Sequence, residues 1–155
     1  MVMLAKEKTP YLIFSIDDKK LAIELELIEQ VYSAVEVTPL VGAPDTILGL
    51  INVHGAIIVV LNVRKKLGLR ERSIELSDQI VIANVDDRQL ALLVDEVVEV
   101  LHAPSDQAAE GSNTTDEKTS IKKENESIAL YELKNFLSDQ EEKTLRTALQ
   151  LAYTN

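Results

Sequence analysis

The sequence predicts a mainly β protein, a sandwich or small barrel, with helix confined to short turns and to the C-terminal segment. Three observations predict it. Short apolar runs rich in Val, Ile and Leu recur along the chain, broken by clusters of Asp, Asn, Gly and Lys that suit tight turns. Helical spacing is sustained only at the C-terminal end, through Leu133, Phe136, Leu137, Leu145, Ala148, Leu149 and Ala152. The strand count, about nine, allows two small barrels sharing a core, and 155 residues fit one domain or two very small ones.

In chain order, Tyr11 to Ile16 is an aliphatic and aromatic run that stops at Asp17-Asp18-Lys19-Lys20, and apolar residues resume at 21, 23 and 25, giving a first hairpin. Leu27, Ile28, Val31 and Tyr32 stand at helical spacing and predict a short helical turn over 26–32. Val35 and Val37 alternate with polar residues up to Pro39, which cannot donate to a ladder and marks a strand end or edge. Ile47 to Val63 is the least polar stretch, interrupted by Asn52-Val53-His54-Gly55, and predicts a second hairpin. Such a strand has apolar side chains on both faces, and some must meet a second barrel or a partner. Arg64 to Gly68 reads as one helical turn closed by a glycine at positive φ. Residues 79–85 and 89–101, around the turn Asp86-Asp87-Arg88, form a third hairpin that continues as a further strand. Residues 104–117 are almost without apolar groups and form a long loop. Ser127 to Leu130 is the final strand. Ser138 with Glu141 has capping-box spacing and starts a terminal helix.

Composition removes several functions. The formal net charge is −10, the pI is near 4.7 and aromatic residues make up 4%, so neither a basic surface for phosphates nor a stacking platform is available, and nucleic acid is excluded as a partner. Cysteine is absent, which removes disulfides, thiolate metal sites and thiol nucleophiles. No apolar run approaches the roughly 20 residues of a membrane span, and the charged N-terminus does not read as a signal sequence. A cytoplasmic protein without direct membrane insertion follows. Five scattered glycines form no phosphate loop. His54 has only His102 as a companion, too few donors for a metal, and reads as turn surface. Asp17-Asp18, Asp86-Asp87 and Asp95-Glu96 read as solvated turn chemistry, not as acid pairs. No catalytic, metal or cofactor residue is assigned.

Gly49-Leu50-Ile51-Asn52-Val53-His54-Gly55, followed by the apolar run 57–63, Arg64 and Leu67-Gly68, resembles the signature of CheW-type proteins, which runs GLINLRG, an apolar strand with PVVDLR, and LG. Val37-Thr38-Pro39 with Gly42-Ala43-Pro44 upstream, Leu90 to Leu101 downstream and Ile128 to Leu137 near the end resemble the same family. The resemblance thus covers nearly the whole chain from Tyr11. It implies two small five-stranded SH3-like β-barrels sharing a core in one domain over 9–153, the first over about 20–70 and the second over about 78–130 with strand exchange at the ends, and tails at 1–8 and 154–155. It implies a non-enzymatic adaptor that binds the regulatory domain of a CheA-type histidine kinase and the cytoplasmic tip of a methyl-accepting chemoreceptor, recruited to membrane receptor arrays.

Carried over residue by residue, the partner surface comprises Val37, Asn52, His54, Gly55, Asn62 and Arg64. Arg64, with its planar fork, suits a carboxylate on a receptor helix, and the competing reading is a surface Arg paired within the chain. The sequence departs from the family pattern at His54 for Arg, Val59 for Pro, Asn62 for Asp and Tyr131 for Asp. Where the family has a small apolar strand before its last one, this chain has only Thr119-Ser120-Ile121 among charged residues, so the resemblance implies a second barrel that is incomplete or looser. His54, Asn62 and this reduced final strand motivate the alternative of a divergent paralogue that binds kinase or receptor without activating, or that serves another receptor–kinase pathway.

Overall fold

A computed structural model describes residues 8–104, 119–123 and 126–153. Ten strands are defined: β1 Lys8–Ile16, β2 Lys19–Glu24, β3 Ile28–Ser33, β4 Ile47–Val53, β5 Ala56–Leu61, β6 Gln79–Val85, β7 Arg88–Val94, β8 Glu96–Pro104, β9 Thr119–Lys123 and β10 Glu126–Leu130. Helices α1 Val63–Leu67 and α2 Asp139–Ala152, with 3-10 turns at Leu25–Leu27 and Leu133–Asn135, complete the chain. The strands form two five-stranded sheets, ordered β8-β1-β2-β10-β9 and β3-β6-β7-β5-β4. Both curl as SH3-like barrels, here called the terminal barrel (β1, β2, β8–β10) and the central barrel (β3–β7).

Three apolar clusters explain the near-continuous hydrophobic runs. In β1, Tyr11 and Ile13 enter the terminal barrel's interior with Ala22, Ile121 and Ile128, while Leu12, Phe14 and Ile16 face the other way. In β5, Ile58 and Val60 fill the central barrel with Ile51, Ile80 and Ile82, while Val59 and Leu61 face the other way. The two outward-facing sets meet in one shared cluster together with Leu90, Leu92, Phe136 and Leu145. Each central strand is therefore buried on both faces, one inside its barrel and one against the neighbour. The second surface required by the apolar run 47–63 is largely the other barrel.

The hairpins at 17–20, 52–55 and 86–88 form as the sequence predicts. So do α1, closed by Gly68 at φ 74°, and α2, whose N-terminus carries the full reciprocal capping box between Ser138 and Glu141.

Four expectations are corrected. Residues 28–33 are strand β3, not a helical turn. A bulge between Ile28 and Gln30 resets the side-chain alternation, so Ile28 and Val31 share a face at a spacing that mimics a helix, and the ladder with β6 outweighs one or two unsupported turns. Residues 35–38 form no strand; Thr38 alone bridges to Leu50, and Pro39 follows. Thr119–Lys123 is strand β9, paired with β10 along its length with Ile121 opposite Ile128, so the second barrel has its fifth strand, and among the described side chains of β9 Ile121 is buried on the inner face. The barrels also do not divide at 20–70 and 78–130. β6 and β7 belong with β3 to β5, and the chain termini build the other barrel around the parallel pair β2 and β10. The long loop expected at 104–117 lies outside the described residues, apart from Pro104.

Candidate functional site

The expected surface residues separate into two neighbourhoods. His54 and Gly55 form the β4–β5 turn, and Asn52 stands near the end of β4 beside it. His54 and Gly55 both have positive φ, 52° and 88°, and the Gly55 N–H donates to Asn52 Oδ1 at 2.9 Å, an Asx contact that holds the tip. The His54 ring lies 6.3 Å from that of Tyr32 on β3, tilted by 56°. Beside them runs a shallow groove of about 210 Å³, lined by Tyr32, Val35, Ile51, Asn52, Val53, His54 and Ile80. Val37 packs on the same barrel interior and is positioned from below: Thr38 and Leu50 exchange both backbone hydrogen bonds at 2.8 Å over Gly49. Gly49 has φ 154°, and a Cβ there would fall 2.2 Å from the Thr38 carbonyl oxygen and 3.0 Å from Val37 Cγ1. Only glycine lets the 37–38 segment lie this close.

Tyr32 and Val35 line this groove and Ile57 is exposed near the turn, three residues that the sequence does not single out as surface. Val35 is 41% exposed and Ile57 47%. Ile57 stands opposite Asn52 and on the same face of β5 as Val59 and Leu61, but remains exposed at the end of the strand that those two continue into the shared core. An apolar residue at a strand end next to a polar turn was the available signal.

Asn62 and Arg64 lie elsewhere, and both are engaged within the chain. Asn62 is buried and caps α1: its Oδ1 accepts the Lys65 N–H at 3.1 Å, and its Nδ2 donates to the Asp45 carbonyl and Glu71 Oε1. Arg64 is turned inward, its side chain 13% exposed. Its Nη2 donates to Asp17 Oδ1 at 2.7 Å and Asp95 Oδ1 at 3.0 Å, and its Nη1 donates to the Arg70 carbonyl at 3.0 Å. Arg72 completes the cluster, donating to Asp95 Oδ1 and to both oxygens of the buried Asp78. The intrachain pairing weighed for Arg64 is the one realised.

The electrostatics follow from these bonds. Burial acts to raise the Asp95 carboxyl, but the Asp17 N–H and the two guanidiniums outweigh it and hold the group below the usual carboxylate range. Asp78 is held low against burial by Arg72 and the Glu75 N–H. Arg64 and Arg72 rise accordingly, Arg64 despite its burial and Arg72 chiefly through its bonds to Asp78. Asp95 is thus a paired structural anion, while Asp17 stands in the exposed β1–β2 turn and adds an ion pair to Arg64. Beside the cluster, a cavity of about 400 Å³ reaches from Leu48 and Leu93 to Ile74. Among the described residues no group of three or more His, Cys, Asp or Glu is placed to hold a metal, and no helix is long and apolar enough to cross a membrane.

Fold and surface together define a class: an all-β protein of two SH3-like barrels packed on one core, with an apolar groove and turn on the central barrel. Comparison with known proteins names the family within that class. A sequence model of the CheW-like domain matches residues 10–143, and the chain belongs to that family. The chain is 33% identical over 94 residues to a chemotaxis protein CheW of Thermotoga maritima, covering 61% of this chain and 62% of that protein. It is 27% identical over 88 residues to the CheW of Rhizobium meliloti, covering 57% of each. The matches thus span less than two thirds of these relatives' lengths. In fold it is similar to the crystal structure of the scaffolding protein TtCheW from Thermoanaerobacter tengcongensis, with a TM-score of 0.78, 20% identity, and 91% of this chain and 95% of that chain covered.

Proposed function

We propose that the protein is a non-enzymatic adaptor that couples chemoreceptors to a CheA-type histidine kinase, with residues 9–153 acting as one unit. The observation that carries this reading is the family match over residues 10–143, which takes in strands of both barrels, combined with an apolar groove at the β4–β5 turn. Val37, Asn52, His54 and Gly55, joined by Tyr32, Val35 and Ile57, form the contact surface. Its apolar centre and polar edge suit a protein partner. The partners are the regulatory domain of the kinase and the cytoplasmic tip of a receptor, which would bring the protein to receptor arrays. One motive for a divergent, non-activating paralogue weakens, because the departure at Asn62 is a buried helix cap and does not alter the surface. Titration calorimetry with the kinase's regulatory domain tests the surface. The parent chain binds, and Val35→Glu, a substitution at an exposed position, weakens binding at least tenfold while the folded signal is kept. Equal affinity for both proteins contradicts this surface.

A further inference from the structure

The shared core holds the barrels together through apolar burial, which supplies no directional bonds of its own. Directional bonds are supplied at its rim. Asp95 is the single residue between β7 of the central barrel and β8 of the terminal barrel. Its Oδ2 accepts the Asp17 N–H at 2.7 Å from the terminal barrel's β1–β2 turn, and its own N–H donates to the Ser15 carbonyl. Its Oδ1 accepts Arg64 of α1 and Arg72, both from the central barrel's side, and Arg64 reaches across again to Asp17. Next along β8, the Val97 N–H donates to Gln79 Oε1 on β6 at 2.7 Å. Charge-assisted, forked bonds of this kind fix geometry as well as adding attraction.

We propose that this cluster is a clasp that sets the angle between the two barrels, with Arg64 acting as a positioning residue and not as a partner contact. Asp17 presents both a backbone donor and a carboxylate to it, so the β1–β2 turn is gripped from two directions. Asp78 holds Arg72 in place and accepts the Glu75 N–H, which anchors the loop from which Arg72 projects. The clasp itself does not depend on the coupling reading; its effect on partner affinity does.

The chain has no cysteine, so two can be introduced at exposed positions, Ser33→Cys on β3 and His102→Cys on β8, and spin-labelled for pulsed distance measurement. In this full-length background, Asp95→Asn and Arg64→Gln each shift or broaden the interbarrel distance by about 2 Å or more, the scale of a real rearrangement. Arg64→Lys, which keeps the charge but loses the fork, recovers part of the change. Asp17→Asn provides a milder variant should either of the first two fail to fold, and shifts the distance in the same sense. Distances within about 1 Å of the parent in the folded variants overturn the clasp. Affinity for the kinase's regulatory domain gives a second readout: Asp95→Asn and Arg64→Gln weaken it by a similar factor. Loss with Arg64→Gln beside parent affinity in Asp95→Asn makes Arg64 a contact and overturns the proposal. A parent chain that does not bind the domain refutes the coupling reading, while the distances still decide the clasp.

Discussion

Gly49→Ala is expected to be the most damaging single-methyl change in the central barrel, and the reason can be worked from the geometry. The added Cβ would sit 2.2 Å from the Thr38 carbonyl oxygen, so Thr38 must retreat by about 1.2 Å to reach ordinary contact. That retreat breaks the two reciprocal hydrogen bonds between Thr38 and Leu50, about 1 kcal/mol each. The φ of 154° adds about 1 to 2 kcal/mol of backbone strain for a residue with a Cβ, offset by about 0.5 kcal/mol from a stiffer unfolded chain. The net cost is about 3 kcal/mol, which at a urea m-value of about 2 kcal/mol/M lowers the unfolding midpoint by about 1.5 M. Gly55→Ala is the internal control. Gly55 also has positive φ, 88°, but nothing lies within 4 Å of its Cβ position, so the strain of about 1 kcal/mol, less the same offset of about 0.5 kcal/mol, lowers the midpoint by only about 0.25 M. Urea titration followed by circular dichroism compares the three proteins. A Gly49→Ala protein no less stable than Gly55→Ala refutes the close approach of residues 37–38 to β4.

Three further outcomes are expected. Asp95, Asp78, Glu141 and Glu142 all have carboxyls held low in the folded state, so they contribute stability above the unfolded carboxyl range near pH 4, and that contribution is lost as the pH falls through their folded values. The urea midpoint should therefore drop below about pH 4, and less steeply in Asp95→Asn; parallel profiles contradict the role of Asp95. Asp86 and Asp87 have φ of 52° and 64° in the two-residue β6–β7 turn, so Asp86→Asn with Asp87→Gly should stabilise by about 0.5 to 1 kcal/mol and raise Tm by about 2 °C, whereas a lower Tm counts against this turn geometry. Ser138→Ala removes the N-cap of α2 and should cost about 1 kcal/mol, with faster amide exchange at Glu141; unchanged exchange there rejects the cap.

Much of the fold was legible because its signals are local. Alternation in 21–25, turn residues at 52–55 and 86–88, glycine at 68 and the Ser138–Glu141 pair each reflect bonds made within a few positions. The bulge at Ile28–Gln30 defeated the reading of β3 because two opposite faces of a strand then copy a helical spacing. Strand β9 was missed because its described inner face rests on Ile121 alone. The partition of strands between barrels depends on pairings such as β2 with β10, over a hundred residues apart, which no local pattern encodes. Arg64 was placed on the surface for the same reason: Asp17 and Asp95 lie 47 and 31 positions away. Asn62 was avoidable, since an Asn just before a helical turn has the preference of an N-cap. The turn of Asn52, His54 and Gly55 was placed together from sequence, whereas Val35 and Ile57 needed the register of the strands to show which apolar residues the shared core leaves uncovered.

The most direct test of the coupling role is reconstitution of the kinase, a receptor in membranes and this protein, with autophosphorylation of the kinase as the readout. Coupling predicts that kinase activity rises only when all three are present, and that Val35→Glu removes the rise while the isolated kinase keeps its basal rate. Binding to kinase and receptor without any stimulation would contradict the coupling role.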